Sequence, residues 1–262
     1  MAALTPHAHQ AMFPLNNLAH YGMHGGSPFA VTMWMTRQGG RITDVLTYTD
    51  FGMVMAFLPS GDFGAAARVL AGREAVGIAG VQSWARGIEA AMNLTGPRAL
   101  DQDEPQFLLD LPDLALPGGP GQIGPLADAP KAVIRDWMLD YQLTALGTLG
   151  DQADQRVTDS YATYLANASH VVLMQDDIPL AMTGFNAQIA DMVQVGHVYT
   201  PPARRGRGHA RRAVALHLAA SGVRRATLFS ANGAAARAYR ATGFRQIGDW
   251  ALILLRDKER LS

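Results

Sequence analysis

The sequence predicts an α+β protein made of two related halves. Segments with the alternating pattern of strands and segments with the spacing of amphipathic helices follow one another along all 262 residues, and this mixture is typical of α+β domains. A proline- and glycine-rich segment, residues 117–130, separates the halves. In both halves a strand leads into a short helix that closes on Thr-Gly, at Thr95-Gly96 and, 147 positions later, at Thr242-Gly243. We therefore expect two domains in tandem with the same order of elements.

In the first half, runs of β-branched and aromatic residues predict strands, and apolar residues at helical spacing predict helices. The turn between the first two strands is supplied by Gly39-Gly40. The predicted strands cover residues 28–38, 41–50, 51–59, 76–81 and 104–112, and the predicted helices cover residues 64–71 and 84–94.

The segment 117–130 contains four prolines and four glycines. Proline lacks a backbone N–H group and glycine has no side chain to pack, so neither a helix nor a strand is expected to continue through it. We interpret the segment as a linker between a domain of residues 1–116 and a domain of residues 131–262.

The second half opens with two helical patterns and then alternates strands with helices. Its first helix is expected over residues 131–146 and its second over residues 154–167. Pro201 and Pro202 end the strand before them, because proline cannot donate to a ladder. The predicted strands cover residues 171–174, 179–188, 192–200, 226–230 and 250–255, and two further helices begin near residue 208 and cover residues 233–241.

Composition places the chain among globular proteins. Hydrophobic residues make up 48% and charged residues 17%, far from the low hydrophobicity and high charge of disordered chains. The absence of cysteine excludes disulfides, zinc–thiolate sites and thiol nucleophiles. The first residues lack a leader-peptide pattern and no long apolar run occurs, so we expect a cytoplasmic protein with no membrane partner.

Charge is distributed unevenly, although the formal net charge is zero. Residues 1–128 carry 6 basic and 11 acidic side chains, whereas residues 129–262 carry 16 basic and 11 acidic side chains. An anionic ligand is therefore expected in the second half.

One stretch in that half is typical of a phosphate site. Residues 198–210 form a strand that stops, a turn that contains glycines, and the start of a helix. The first backbone N–H groups of a helix have no intrahelical partner and lie at the positive end of its dipole, while glycine lets an anion approach closely. Arg204, Arg205 and Arg207 add charge and bidentate donors.

This stretch resembles the pyrophosphate loop of the GNAT superfamily of N-acetyltransferases, which reads Gln/Arg-x-x-Gly-x-Gly/Ala after a strand. The resemblance covers residues 131–262 and implies a GNAT fold, a mixed and mostly antiparallel sheet flanked by helices. The matching residues are Arg205, Gly208 and Ala210 in the loop, followed by Asn232, Tyr239 and Gly243-Phe244.

The resemblance also implies the ligands. Acetyl-CoA is the expected co-substrate, an amine is the expected acceptor, and no metal is required. The backbone of Val198, Tyr199 and Thr200 is expected to pair with the pantetheine arm, much as an added strand pairs with a sheet edge. The remaining expected cofactor contacts are Arg205, Gly206, Arg207, Gly208, His209, Ala210 and Asn232.

Tyr239 is the implied general acid, which would protonate the CoA thiolate as it leaves. The alternative for Tyr239 is a half-buried ring that packs its helix against the sheet, as most helical tyrosines do. We interpret His197 and His209 as structural, because His197 faces the opposite side of its strand from Val198 and His209 begins a helix.

Two positions depart from the family pattern. Ala236 stands where relatives often carry an asparagine that contacts the cofactor, and Gln194 stands near where many supply a carboxylate as general base. An amide cannot take a proton from an ammonium, so the base stays open. Asp191 is the nearest acid in the sequence, and a water chain or an already neutral amine would serve as well.

The first half is expected to be a degenerate copy that has lost its cofactor site. Asp62 lies in the turn that corresponds to the phosphate loop, and no arginine follows until Arg68. A carboxylate there would repel a pyrophosphate. Met92 corresponds to Tyr239 and has no proton to give.

The favoured function is transfer of an acetyl group from acetyl-CoA to a primary amine by direct attack on the thioester. A catalytically idle acyl-CoA-binding regulatory module remains open, given Ala236 and Gln194. Binding of nucleic acid by the five arginines between residues 204 and 212 is disfavoured, because the region lacks interleaved aromatic residues and the chain is neutral. The sequence does not identify the amine or the oligomeric state.

Overall fold

The computed structural model describes residues 2–230 and 232–262. None of the helices in these residues is long and apolar enough to span a membrane. The α-helices are α1 Met12–Tyr21, α2 Phe63–Leu70, α3 Gln82–Ala91, α4 Lys131–Thr144, α5 Gly150–Ala166, α6 His209–Ser221 and α7 Gly233–Arg240. The strands are β1 Val31–Gln38, β2 Arg41–Thr49, β3 Met53–Phe57, β4 Glu74–Val81, β5 Arg98–Asp110, β6 Gln122–Pro125, β7 His170–Gln175, β8 Ile178–Ile189, β9 Met192–Tyr199, β10 Arg225–Phe229 and β11 Arg245–Arg260.

Every strand and helix predicted from the sequence pattern is present, although β5 and β11 extend well beyond the predicted residues 104–112 and 250–255. The hairpin between β7 and β8 turns at Asp176 and Asp177, whose φ angles are 47° and 63°. Two successive positive φ angles give the turn whose twist matches that of the flanking strands. The pattern does not predict α1, which buries Asn16 together with its apolar residues.

The segment 117–130 is not the unstructured linker that its composition predicts. Gln122–Pro125 form β6, which pairs antiparallel with β7, and the 3₁₀ turn Leu126–Asp128 follows it. Strand β6 lies at the edge of its sheet, where a proline removes no necessary ladder bond. Proline and glycine therefore exclude a central strand here, but not an edge strand.

The chain divides into two compact units that do not follow the chain order. Unit 1 comprises Met1–Gln106 and Gly248–Ser262, and unit 2 comprises Phe107–Ile247. The last residues of strand β5 thus belong to unit 2, whereas most of β11 belongs to unit 1. These limits differ from the expected domains of residues 1–116 and 131–262, because a sequence pattern locates strands without showing which strands pair with each other.

Unit 1 is built on strands in the order β1-β2-β3-β4-β11. Neighbouring strands pair antiparallel, except that β3 and β4 run parallel. The core packs α2 and α3 on the sheet through residues that include Leu70, Ile78, Ile88 and Ile253. Because Ile253 belongs to β11, the core of unit 1 depends on a strand from the far end of the sequence.

Unit 2 is built on strands in the order β5-β10-β9-β8-β7-β6. Strands β9 and β10 run parallel, and β6 to β9 pair antiparallel. Helices α4 and α5 pack on one face, where Met138 and Val157 are buried. Helices α6 and α7 pack on the other face against Val193 and Val195 of β9. Alternation along β9 directs neighbouring side chains to opposite faces.

The two units repeat one arrangement. The order β3-α2-β4-α3 of unit 1 recurs as β9-α6-β10-α7 in unit 2, and the strand pair is parallel in both. The predicted α+β class, its mixed and mostly antiparallel sheets and the tandem order of elements are confirmed.

Candidate active site

The parallel strands β9 and β10 separate before β9 ends. Their pairing runs from Met192 with Arg225 to Val195 with Leu228, whereas β9 continues to Tyr199. Within the described residues, the end of β9 therefore has no partner in β10. Backbone groups on that side of β9 are left available to a ligand.

A β-bulge bends β9 at the point of separation. The ladder with β8 is in register at Gly196 and again at Tyr199, and between them His197 and Val198 stand opposite the single residue Thr183. His197 has a φ of 52°, which is uncommon outside glycine. Bulges turn a strand and redirect its side chains, and they are frequent beside functional sites.

The loop after β9 leads to a helix without a side-chain cap. The 3₁₀ turn Pro202–Arg204 follows the strand, and Gly206 and Gly208 have φ angles of 76° and 79°. Gly208 is the N-cap of α6, and no side chain caps the helix there. A Cβ added at Gly206 would meet nothing within 4 Å. No side chain therefore takes up the first N–H groups of α6, as an anion site requires.

Three arginines make this loop electropositive. Arg205 and Arg207 are exposed, and Arg205 Nε donates to the Thr200 carbonyl at 3.0 Å. Burial, aided by the charges of Arg207 and Arg204, lowers the pKa of His209. Residues 201–212 contain no carboxylate. The loop thus offers an anion only attractive charges.

A fourth arginine has a structural role that the sequence did not predict. Arg212 donates from Nη1 to the Pro117 carbonyl at 2.8 Å, from Nε to Pro120 at 3.1 Å and from Nη2 to Gly121 at 3.0 Å. The planar guanidinium thereby ties residues 117–121 to α6. Arg212 therefore contributes less to the charge available for a ligand than its sequence position suggests.

The corresponding helix start in unit 1 is already occupied. Asp62 is the N-cap of α2, and its Oδ1 accepts a hydrogen bond from Ala65 N at 2.9 Å. The carboxylate satisfies one of the free N–H groups and places negative charge at the positive end of the helix. The two helix starts consequently differ in the feature that decides whether an anion can bind.

Tyr239 is buried between α7 and the sheet. Its ring centroid lies 6.4 Å from that of Phe107 and 5.9 Å from that of Phe244. It belongs to the same core as Val195, and Val198 packs against that core. The structure thus brings Tyr239 to the face of β9 that carries Val198. A packing role is evident, and the role as general acid stays a prediction.

Asn232 caps α7. Its Oδ1 accepts a hydrogen bond from Ala235 N at 2.9 Å, and its carbonyl oxygen accepts one from Ser230 Oγ at 3.0 Å. Asparagine is a preferred N-cap residue, so its place in the motif has a structural reason. A contact between Asn232 and the cofactor stays a prediction.

The structure places Asp191 and Gln194, the two residues that bear on the choice of a general base, away from the loop. Asp191 lies in the turn before β9, at the end far from the loop, where its Oδ1 pairs with Arg225 at 3.2 Å. Gln194 is buried, and its Nε2 donates to the Val195 carbonyl at 2.7 Å. Asp191 is the nearest acid in the sequence, but it lies at the other end of β9 from the loop.

The acid at the loop end of β9 is Asp140 of α4. Its Oδ2 accepts a hydrogen bond from the Tyr199 hydroxyl at 2.6 Å. Burial, followed by Asp140, raises the pKa of Tyr199 to about 12. Asp140 precedes Tyr199 by 59 positions, and no spacing rule in the sequence relates them.

A cluster of four rings covers the other face of β9, and we call it the His–Tyr cluster: Tyr141 of α4, Tyr164 of α5, His170 of β7 and His197. The Tyr164 hydroxyl lies 2.9 Å from His197 Nδ1. Tyr141 stacks on His197 with centroids 4.3 Å apart, and Tyr164 stacks on His170 with centroids 3.5 Å apart. His197 and Val198 thus face opposite sides of β9, as predicted. The cluster joins four elements, so sequence reasoning missed it.

Burial keeps the histidines of this region neutral. Burial lowers the pKa of both His197 and His217 to about 4. His217 belongs to α6, and its ring stacks on Phe185 of β8. Burial, then the nearby His197 and His217, lowers the pKa of His170 as well.

These histidines predict that acid destabilises the protein. Between the unfolded pKa of 6.5 and the folded pKa of about 4, the unfolded chain binds more protons at His197 and His217. The free energy of unfolding therefore falls as the pH is lowered through this window, by on the order of 3 kcal/mol for each fully buried histidine. Urea unfolding at pH 7 and pH 4 measures the fall. The variant His217→Gln should show a weaker fall, and equal slopes would contradict the assignment.

Buried polar side-chain atoms without a hydrogen-bond partner, among the residues described, all lie in unit 2. Native proteins leave few such atoms, and each calls for a water, an ion or a ligand. They are His170 Nε2, Thr183 Oγ1, Gln194 Oε1, His197 Nε2, Thr200 Oγ1, Arg211 Nε and His217 Nδ1.

Comparison with known proteins gives a likeness of fold. No family model and no curated protein matches the sequence. The structure is similar to a GNAT-family acetyltransferase from Colwellia psychrerythraea, at 14% identity over 97% of both chains and a TM-score of 0.52. It is similar to a GCN5-related N-acetyltransferase from Kribbella flavida, at 15% identity over 86% of this chain and 90% of that one, with a TM-score of 0.55.

A third similar structure is a tandem GNAT protein from the clavulanic acid biosynthesis pathway, at 14% identity over 97% of this chain and 96% of that one, with a TM-score of 0.51. Identities this low show the fold alone. The chain therefore has the GNAT fold in a tandem arrangement.

Proposed function

We propose that unit 2 transfers an acetyl group from acetyl-CoA to a primary amine. The observation that carries the proposal is the start of α6, where Gly208 leaves the first backbone N–H groups uncapped beside Arg205 and Arg207. The GNAT fold and the separation of β9 from β10 support the same function.

In this proposal the cofactor lies along the end of β9. The backbone of Val198 to Thr200 pairs with the pantetheine arm, and the phosphates bind the N–H groups from Gly206 to Ala210. The Oγ1 atom of Thr200 is buried and, within the described residues, has no partner. A polar ligand at the end of β9 would supply one.

The proposed reaction is direct transfer. The nitrogen of a neutral amine attacks the thioester carbonyl carbon, a backbone N–H near Val198 stabilises the oxyanion, and the bond from carbon to sulfur breaks. Tyr239 protonates the departing thiolate, and the nitrogen gives up one proton to a base or to water. Attack of an amine on a thioester requires no metal.

The charge of the loop provides the first test. We expect acetyl-CoA to raise the melting temperature of the wild-type protein, and the variant Arg205→Glu to lose most of that rise, because a carboxylate replaces a cation beside the diphosphate. A ligand at about 100 times its dissociation constant stabilises by about 2.7 kcal/mol. The matched control is Arg41→Glu, an equal charge change at an exposed position of unit 1, which should leave the rise intact. An equal rise in Arg205→Glu would remove the loop from the site.

We propose further that unit 1 has kept the fold and binds no cofactor. Asp62 caps α2 where a phosphate would lie, and Met92, which stands in for Tyr239, is buried in the core. Calorimetry on the full chain should therefore find one acetyl-CoA per chain. The full chain is required because residues 1–128 lack β11, which pairs with β4. Two sites of similar affinity would contradict the proposal.

A second candidate is an acyl-CoA-binding regulatory module without turnover, which Gln194 in place of a carboxylate favours. Release of free thiol from acetyl-CoA separates the two functions. Release that depends on an added aliphatic, aromatic or sugar amine supports the enzyme, whereas binding without release supports the module.

A further inference from the structure

The ring of His197 lies next to the place where the proposed acetyl transfer would occur. His197 directly precedes Val198, whose backbone lies at the separation of β9 and β10. Val198 packs on the face of α6 and α7, and His197 packs on the face of α4 and α5. A cofactor paired with the backbone of Val198 would therefore have the Val198 side chain on one face of the strand and the His197 ring on the other.

Two features of His197 lower the stability of the folded protein. Its Nε2 is buried and has no hydrogen-bond partner in the described part of the chain, and its φ is 52°. An unpaired buried polar atom and a backbone angle of this kind each destabilise a folded protein, and both concentrate at functional sites.

Two polar side chains lie near His197 on β8 and β9. Asn186 is exposed, and its amide group lies against Gly196, which has no side chain to block it. Gln194 lies on the same face of β9, and its Oε1 also has no partner among the described residues.

The surroundings of the ring favour its neutral form. The titratable groups in contact with it are Tyr141 from α4, Tyr164 from α5 and His170 from β7. Burial lowers the pKa of His197 to about 4 and raises that of Tyr164 to about 12. A neutral imidazole accepts a proton at pH 7, which its charged form does not.

Tyr164 contacts the other ring nitrogen of His197, Nδ1. Its hydroxyl contacts both His197 Nδ1 and Ser160. In the arrangement that we infer, the phenol oxygen accepts the Nδ1–H as well as a hydrogen bond from Ser160, which lowers the pKa of Tyr164 against the larger rise from burial. The lone pair of Nε2 is then the free acceptor, a tautomer set by the bond that the other nitrogen makes.

We propose that His197 is the general base of the acetyl transfer and that Tyr164 is its positioning residue. The proposal rests on the proposed function. The amine nitrogen forms its bond to the thioester carbonyl carbon, and its proton passes to His197 Nε2, directly or through one water. The bond from carbon to sulfur breaks, and the thiolate takes a proton from Tyr239. Proton exchange with solvent returns both side chains to their starting states.

The test uses His197→Asn in the full chain, because asparagine tolerates a positive φ better than most residues. We expect it to keep the melting-temperature rise with acetyl-CoA and to slow amine-dependent thiol release by about 10²- to 10⁴-fold at pH 7. The deficit should shrink as the pH approaches 10, where hydroxide and neutral amine replace the base. A second variant, His197→Gly, suits the same φ and should regain activity when imidazole is added.

The matched control is His217→Gln, which removes a second buried histidine whose pKa is also about 4. Its thiol release should stay within a few-fold of the wild type. Nitrogen NMR of the His197 ring should report Nδ1–H in the wild type and a shift toward Nε2–H in Tyr164→Phe.

The outcomes separate the two proposals. If the wild type is active, an equal rate of thiol release in His197→Asn would overturn the role of His197 and leave the proposed function standing. Equal losses in His197→Asn and His217→Gln would do the same. An unchanged tautomer in Tyr164→Phe would overturn the role of Tyr164. A wild-type protein that releases no thiol with any amine would overturn the proposed function, and the inference with it.

Discussion

The variant Gly208→Asp is expected to lose the stabilisation that acetyl-CoA gives to the wild-type protein. Gly208 has a φ of 79° and begins α6 without a side-chain cap. Aspartate is tolerated at such an angle better than most residues, and its carboxylate would place negative charge at the start of α6, as Asp62 does at the start of α2 in unit 1. The expected loss is the full ligand contribution, about 2.7 kcal/mol at 100 times the dissociation constant. Differential scanning fluorimetry with and without acetyl-CoA measures it.

The matched control is Gly222→Asp. Gly222 ends the same helix with a φ of 70°, so the substitution imposes a similar backbone demand away from the loop. It should lower the melting temperature of the free protein and keep the rise with acetyl-CoA. A full rise in Gly208→Asp would show that the start of α6 does not bind the phosphates.

The variant Tyr239→Phe is expected to bind acetyl-CoA normally and to transfer the acetyl group slowly. The change removes one hydroxyl and keeps the ring that packs beside Phe107 and Phe244. General acid catalysis contributes about 10²- to 10⁴-fold, equivalent to a loss of about 3 kcal/mol or more of transition-state stabilisation. Single-turnover mixing of protein, acetyl-CoA and amine isolates the chemical step.

Tyr161→Phe is the control for a lost buried hydroxyl. Tyr161 and Tyr239 are both 7% exposed, and Tyr161 lies on α5 in the core with Val157. Transfer at the wild-type rate in Tyr239→Phe would make its ring a packing residue and solvent the source of the proton.

The sequence predicted the elements of the fold well, because periodicity and breakers act locally. Pro201 and Pro202 end β9, and Gly208 starts α6, as expected. The sequence could not show that β11 completes unit 1, because the pattern of a strand does not show which strand it pairs with. It also misjudged β6, since the rule against proline applies to central strands.

The candidate site was predictable where one stretch of chain supplies it. The loop from Arg205 to Ala210 follows from its own residues. The His–Tyr cluster and Asp140 did not, because their side chains meet only after α4 and α5 pack on the sheet. A positive φ at His197 likewise depends on the register between β8 and β9, and a single strand contains no sign of it.

The assignment of Gly248–Ser262 to unit 1 has a consequence for the way this chain is made. A ribosome releases the residues up to Gln106 long before it reaches β11, so the first unit must wait with one side of β4 unpaired. In the sequence, unit 2 lies between the two segments of unit 1, so all of unit 2 is synthesised before the second segment of unit 1. Unit 1 is therefore completed after unit 2, although its synthesis begins first. Until then the unpaired edge of β4 is open to wrong pairing.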